Sequence, residues 1–218
     1  MSANHQTTII SVEGNIGSGK STLVEELRKM YAGTPHICFL QEPVDIWNTI
    51  KDHDGTTMLT KFYSNAQKYS FAFQMMAYIS RLSLLKNALK NNYDVIVVER
   101  SMYTDKKVFA KMLYDAKNIE EVEYQIYHKW FDEFIEDIPP LKIIYVKTSP
   151  EVAHQRVQKR GREGENIPLE YLRNCHKYHE DWLDHVDEKL LIDGNTDNSI
   201  NPEITSIWLE KCRAFINK

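Results

Sequence analysis

Nine consecutive residues near the amino terminus have the spacing of a phosphate-binding loop. They are Gly14, Asn15, Ile16, Gly17, Ser18, Gly19, Lys20, Ser21 and Thr22, and they contain the full Gly-x-x-x-x-Gly-Lys-Ser pattern. Glycines let backbone N–H groups turn inward around phosphates, and the following helix adds the positive end of its dipole. We predict that Lys20 reaches the β- and γ-phosphates of a nucleoside triphosphate, and that the Ser21 hydroxyl ligates Mg²⁺. The loop alone does not identify the phosphate acceptor.

Two glutamates directly follow predicted strands, where ligands bind in parallel sheets. Glu99 lies where an acidic side chain commonly helps to hold Mg²⁺ opposite Ser21, and Arg100 is suited to offset charge on a transferring phosphoryl group. Glu42 is then free to accept the proton of a neutral hydroxyl acceptor. A phosphorylated acceptor would be repelled by Glu42 unless arginines intervened. The sequence alone also allows Glu42 to be a cap or a solvated acid, and Glu99–Arg100 to be a structural ion pair.

A third group of polar residues interrupts an otherwise apolar helix pattern at residues 70–85. Gln74 and Arg81 are seven positions apart with Ala77 between them, so all three share one helix face. Buried Gln and Arg side chains require partners. Ion pairs within the core would satisfy them, and so would a cavity that holds a flat polar ligand beside the small Ala77.

The elements that position these residues alternate between strand and helix. Five runs, the last weaker than the others, are predicted to be buried strands: 8–12, 37–40, 94–98, 141–146 and 189–192. Six patterns are predicted to be helices: 21–31, 58–90, 106–135, 150–159, 168–186 and 202–217. This order predicts an α/β fold of the P-loop NTPase type, with a five-stranded parallel sheet flanked by helices. We expect a single domain over residues 1–218, with an arginine-rich lid at about 156–167.

Composition excludes several classes of partner. The 218 residues have a formal net charge of -4, which disfavours binding to polymeric nucleic acid. No apolar run has the length of a membrane span, and residues 1–8 carry no targeting pattern. The three cysteines fit neither a disulfide framework nor a zinc site. We therefore expect a cytoplasmic protein.

Several unlinked motifs in the same order resemble the deoxynucleoside kinases of the deoxycytidine, deoxyguanosine and deoxyadenosine kinase type, over nearly the whole chain. The motifs are Glu13–Thr22, Glu42-Pro43-Val44 with Trp47, Ser70–Gln74 with Ser80-Arg81, Glu99-Arg100-Ser101, Tyr103-x-Asp105, the arginines Arg156, Arg160 and Arg162, and Ile167–Leu172. The resemblance implies ATP and Mg²⁺ as cofactors, a homodimer formed through a helical bundle, and transfer of the γ-phosphate to a 5′-hydroxyl in deoxynucleoside salvage.

The resemblance also implies a role for each matching residue. Glu42 is the expected general base, with Arg100 beside it and Lys20 on the phosphates, and the lid arginines close over ATP. The residues expected to bind the nucleoside are Glu42, Val44, Trp47, Tyr63, Phe73, Gln74, Ala77, Arg81, Arg100, Asp105, Phe109 and Glu165. Tyr63 and a lid acid are expected to hold the 3′-hydroxyl. The lid departs from the family pattern, so this acid is Glu165 or Glu163.

Arg81 and Asp105 are expected to determine which nucleobase the site accepts. Thymidine-accepting members of the family lack both residues. A carboxylate can accept a hydrogen bond from the exocyclic amine of cytosine or adenine, whereas thymine presents an oxygen. We predict deoxycytidine, deoxyadenosine or deoxyguanosine as substrate, unranked, with thymidine a poor one.

Two other functions remain open on the sequence alone. They are a nucleoside monophosphate kinase of the thymidylate kinase type and a non-catalytic ATP-binding module. A GTPase switch is disfavoured because the sequence has no Asn-Lys-x-Asp motif.

Overall fold

The fold is built on one sheet of five parallel strands. The computed structural model describes residues 7–162, 165–196 and 202–218. The strands are β1 (Thr8–Glu13), β2 (Ile37–Leu40), β3 (Val95–Glu99), β4 (Leu141–Lys147) and β5 (Lys189–Asp193), in the spatial order β2-β3-β1-β4-β5. Ile10 pairs with Val97 on one side and Lys142 on the other. The predicted fold class and all five strands are therefore confirmed.

Helices cover both faces of the sheet. They are α1 (Lys20–Met30), α2 (Val44–Thr49), α3 (Met58–Ser64), α4 (Ala66–Leu89), α5 (Met102–Thr104), a π-helical segment (Asp105–Ala110), α6 (Lys111–Asp115), α7 (Glu121–Ile135), α8 (Pro150–Arg160), α9 (Leu169–Leu183) and α10 (Pro202–Ile216). Within the described residues, no helix combines the length and apolar character required to cross a bilayer.

Alternate side chains of β1 supply two separate hydrophobic cores. Ile10 and Val12 pack with residues of α1 and α10 on one face. Ile9 packs with residues of α4 and α7 on the other face. Both faces of the central strand are buried, as expected for a parallel sheet, and this burial explains its continuous apolar run.

Two long helices predicted from the sequence are each divided in the structure. The predicted helix 58–90 breaks at Asn65, whose side chain accepts a hydrogen bond from the Lys68 N–H at 3.1 Å and so caps α4. The predicted helix 106–135 breaks after α6 at Lys117, which has a left-handed φ of 62°. Glu120 and Glu123 then form a capping box that starts α7. At both points, local capping residues end one helix and start the next, although the apolar periodicity of the sequence favours one continuous helix.

Helix α2 was not predicted. It follows Pro43, spans six residues and carries Trp47 into the interior. Its length is below two turns, so its sequence has too few repeats for a helical period to be recognised.

Candidate active site

The glycine loop joins β1 to α1 and fits a narrow space. A β-carbon on Gly14 would lie 2.5 Å from the Val146 carbonyl oxygen, and one on Gly17 would lie 2.5 Å from the Ala153 carbonyl oxygen. Both residues have a positive φ, so glycine is required there by backbone conformation as well as by space. The loop can therefore approach a ligand with its backbone rather than with side chains.

Lys20 is buried at the start of α1. Its Nζ donates to the Asn15 carbonyl oxygen at 2.6 Å. Burial, reinforced by the nearby charge of Arg100, lowers the pKa of Lys20 to about 7. The ammonium group is held within the loop at the start of α1, and this position suits it to the negative charge of phosphates.

Ser21 and Glu99 meet across the first helix turn and the end of β3. The Ser21 hydroxyl donates to Glu99 Oε1 at 2.6 Å. Two oxygen groups in contact beside a phosphate loop are the ligand type that Mg²⁺ prefers. Their chemistry and placement fit the predicted metal site.

Glu42 lies between two buried arginines. Its Oε1 accepts from Arg81 Nη2 at 2.6 Å and from Arg100 Nη1 at 2.7 Å. Burial alone would raise the pKa of Glu42, but the charges of Arg100 and Arg81 outweigh burial and hold that pKa well below its usual range. Glu42 follows β2 and Arg100 follows β3; these strands are neighbours in the sheet, so the two side chains meet at its carboxyl edge.

Arg81 also binds Asp105. Arg81 Nε donates to Asp105 Oδ2 at 3.0 Å, and Nη1 donates to the Glu99 carbonyl oxygen at 3.2 Å. Burial raises the pKa of Asp105 to about 6, although the Arg81 charge favours the ionised form. Arg81 thus joins β3, the loop after β2 and the π-helical segment, and its two carboxylate partners are fixed relative to each other.

Aromatic rings line the region next to this ion-pair network. Phe73 stacks on Phe62 with ring centres 4.6 Å apart and meets Trp47 edge-on at 5.6 Å. The Trp47 indole N–H donates to Ser80 Oγ at 2.8 Å, which fixes the ring. The Gln74 side chain is buried, and its Oε1 has no hydrogen-bond partner among the residues that the structure describes. Buried acceptors normally have a hydrogen-bond partner. The free Oε1, next to apolar walls, therefore indicates that the polar edge of a ligand binds at this position.

The glycine loop, the ion-pair network and the aromatic wall line one cavity of about 660 Å³. This volume is in the usual range for small-molecule sites. Every predicted site residue lines it except Gly14 and Asn15. The Asn15 side-chain amide instead donates to the Leu172 carbonyl oxygen at 2.8 Å and ties the loop to α9.

Arg156 and Arg160 of the predicted lid bind partners within the protein. Arg156 Nη1 donates to the Gly194 carbonyl oxygen at 2.7 Å. Arg160 forms an ion pair of 2.5 Å with Glu165, whose side chain is only 4% exposed. Tyr63 is half-buried, and the removal of its hydroxyl from solvent, together with the charge of Glu165, raises its pKa. Glu163, the alternative to Glu165, lies outside the described residues.

Several cavity residues were missed by the sequence reasoning. They are Gln41, Asp45, Leu59, Phe62, Lys159, Tyr171, Thr196 and Trp208. The spacing of Leu59 and Phe62 on the face of α3 that also presents Tyr63 is a signal that would have found them. Thr196 and Trp208 carry no comparable local signal, because they follow the last strand and enter the site only through the tertiary fold.

The parallel sheet, the glycine loop and the Ser21–Glu99 pair define a P-loop kinase fold. The deoxynucleoside kinase family model matches residues 10–217, and the chain belongs to this family of enzymes.

Curated relatives agree with this assignment. The chain is 37% identical to a probable deoxycytidine kinase of fowlpox virus, over 82% of this chain and 73% of the relative. It is 33% identical to deoxycytidine kinase 1 of Xenopus laevis, over 95% and 90%. It is also 33% identical to the mitochondrial thymidine kinase 2 of Homo sapiens, over 81% of this chain and 64% of the relative.

Proposed function

We propose that this enzyme transfers the γ-phosphoryl group of ATP to the 5′-hydroxyl of deoxycytidine, deoxyadenosine or deoxyguanosine, and that it uses thymidine poorly. The observation that carries the proposal is Glu42, a carboxylate held by two arginines in the same cavity as the glycine loop. A neutral alcohol can donate a hydrogen bond to that carboxylate, whereas an already phosphorylated sugar would bring a second negative charge against it. The product is a deoxynucleoside monophosphate, as in deoxynucleoside salvage.

The donor half of the site is built for a triphosphate. The loop backbone and Lys20 bind the β- and γ-phosphates, and Arg156, Arg160 and Arg162 close over them. Ser21 and Glu99 would hold Mg²⁺, which would supply positive charge against the phosphates.

Glu42 acts on the acceptor hydroxyl without being a strong base beforehand. Its depressed pKa means that it accepts a hydrogen bond from the 5′-hydroxyl rather than removing the proton at once. Phosphoryl transfer passes through a loose transition state, so the hydroxyl becomes acidic only as its oxygen bonds to phosphorus. The proton then moves to Glu42, and Arg100 offsets the charge on the transferring group.

The base is read by three polar side chains. Asp105 accepts from an exocyclic amine, Arg81 holds Asp105 and donates to the base edge, and Gln74 bonds the remaining edge. Two relatives are named deoxycytidine kinases and a third is named a thymidine kinase, so the names alone do not separate these substrates. The proposed preference against thymidine therefore rests on Arg81 and Asp105. Trp47, Val44, Phe73 and Phe109 enclose the ring beside Ala77, while Tyr63 and Glu165 bind the 3′-hydroxyl.

We also propose a homodimer formed through α4 and α7. Four exposed large apolar side chains lie on these helices: Ile79, Val122, Ile126 and Trp130. Helix α4 is apolar around most of its circumference, which is unusual for a helix that faces solvent. The antiparallel packing of these two helices against their copies would bury all four side chains in a helical bundle.

The cellular location that we propose is the cytoplasm. The three cysteines are free thiols, and such thiols are stable in that reducing compartment.

A substrate panel tests the reaction. The purified protein is incubated with ATP, Mg²⁺ and each of the four deoxynucleosides, and separately with deoxycytidine monophosphate. We expect phosphorylation of at least one amine-bearing deoxynucleoside and none of the monophosphate. Phosphorylation of the monophosphate alone would favour the thymidylate kinase type, and ATP binding with no product at all would favour a non-catalytic module. The matched control is Lys20→Ala, which should bind the nucleoside but transfer no phosphate.

A further inference from the structure

We propose that Glu13 is a positioning residue that holds Arg100 and Asp105 in their active geometry from behind the cavity wall. The proposal rests on the function proposed above. Glu13 ends β1, is fully buried, and is not among the residues that line the cavity. It therefore acts on the site only through other residues.

The Glu13 carboxylate is saturated by neutral donors. Oε1 accepts from the Ser11 hydroxyl at 2.5 Å, from the Ser101 backbone N–H at 2.9 Å and from the Ser101 hydroxyl at 2.7 Å. Oε2 accepts from the Thr104 hydroxyl. No ion pair with Glu13 is found among the residues that the structure describes. A buried carboxylate without a cation is costly unless hydrogen bonds stabilise it, and here four of them do.

These hydrogen bonds bracket a short segment that separates two site residues. Ser101 directly follows Arg100, and Thr104 directly precedes Asp105. Glu13 therefore holds both ends of residues 101–104, the segment that leads from the end of β3 into the π-helical turn. A change in the position of this segment would move both the Arg100 guanidinium and the Asp105 carboxylate.

The backbone of Arg100 needs such support because it is strained. Its φ is 61°, a left-handed conformation that costs a residue other than glycine about 1–2 kcal/mol. Strain of this kind persists at functional sites only where neighbouring contacts over-determine it. The Arg100 N–H donates to the Val12 carbonyl oxygen at 3.1 Å, and the next N–H, of Ser101, donates to Glu13. The last two residues of β1 thus hold the turn that aims Arg100 at Glu42.

The experiment separates positioning from simple structural support. Glu13→Met keeps the side-chain length but accepts none of these hydrogen bonds, whereas Glu13→Gln retains an acceptor oxygen. We expect kcat to fall about 100-fold in Glu13→Met, because displacement of a catalytic group by about 1 Å has an effect of that size. Glu13→Gln should recover most of kcat. The KM for ATP should stay within about two-fold in both variants, since the glycine loop, Lys20 and the lid arginines that bind ATP all lie outside residues 100–105.

A milder variant keeps the test decisive if Glu13→Met does not fold. Thr104→Val removes one hydroxyl at nearly constant volume, on the Asp105 side of the segment. We expect it to lower the ratio of kcat/KM for the preferred deoxynucleoside to kcat/KM for thymidine by about ten-fold, a loss typical of one misaligned polar contact. Ser70→Ala is the control: it also removes a fully buried hydroxyl, which donates to the Ala66 carbonyl oxygen, away from the cavity.

The outcomes distinguish the inference from the proposed function. A lower melting temperature in Glu13→Met and Thr104→Val, with kcat unchanged in Glu13→Met and the substrate ratio unchanged in Thr104→Val, would overturn the positioning role and leave the kinase activity intact. If the wild-type protein phosphorylates no deoxynucleoside, the proposed function itself fails.

Discussion

Lys20 offers a quantitative test of the site, because its pKa of about 7 in the free protein implies that nucleotide binding takes up a proton. Below pH 7 the ammonium form is already present. Above pH 7 the free protein is mostly neutral at this position, and bound phosphates restore the charge because opposite charge favours the ionised form. The affinity for Mg²⁺-ATP should therefore decrease as pH rises.

The magnitude follows from a single linked proton. With a free-protein pKa of about 7 and a bound pKa above 9, binding at pH 8 should take up about 0.9 proton, and at pH 7 about 0.5. The dissociation constant should rise about 100-fold between pH 6 and pH 9, which corresponds to about 2.7 kcal/mol at 1.36 kcal/mol per pH unit.

The same shift affects folding with the opposite pH dependence. The folded-state pKa of Lys20 is lowered below its unfolded value, so the buried charge destabilises the free protein below pH 7. That cost is relieved as pH rises from about 7 towards the unfolded pKa near 10.5. Nucleotide-free protein should thus gain stability from Lys20 over the range in which it loses nucleotide affinity.

Calorimetric titration in two buffers with different ionisation enthalpies measures the proton uptake directly. Lys20→Arg is the control, because a guanidinium stays charged throughout this range and should remove the proton uptake and the pH dependence together. Equal binding enthalpies in the two buffers, with an affinity that is flat from pH 7 to pH 9, would refute the reasoning for Lys20.

Three further predictions address the acceptor half of the site and the dimer. Glu42→Gln should lower kcat at least about 100-fold, and near-normal turnover would contradict the general-base role. Because Arg81 and Arg100 lose their shared carboxylate, the same change should lower the free energy of unfolding by about 3–5 kcal/mol. That loss corresponds to a melting temperature about 6–20 °C lower. Asp105→Asn should lower the preference for deoxycytidine over thymidine at least about ten-fold, since an amide can donate to the thymine oxygen; an unchanged ratio in a substrate competition assay would contradict this. Trp130→Asp should convert the dimer to monomers in light scattering, whereas a retained dimer mass would exclude the α4–α7 face.

Local sequence was sufficient for the features whose physical cause is local. The glycine loop is encoded in nine adjacent residues, because the backbone geometry that binds phosphate requires glycine at fixed spacing. The three inner strands, β3, β1 and β4, could be predicted because burial on both faces demands an unbroken apolar run. The helix breaks at Asn65 and Lys117 were missed, since a single cap can end a helix that the surrounding periodicity would continue.

The sequence by itself determined the parallel α/β fold, the phosphate loop and the set of polar residues at the strand ends. Only the tertiary structure decided how those residues are paired. Arg81 binds Glu42 across 39 positions and Asp105 across 24, while Arg100 binds Glu42 across 58. The sequence left a core ion pair and a ligand cavity as alternatives for Arg81, and the structure has both, because one guanidinium is paired and also lines the cavity. Partners so distant in the chain are brought together by the order of the strands, and no local pattern of residue types records that order.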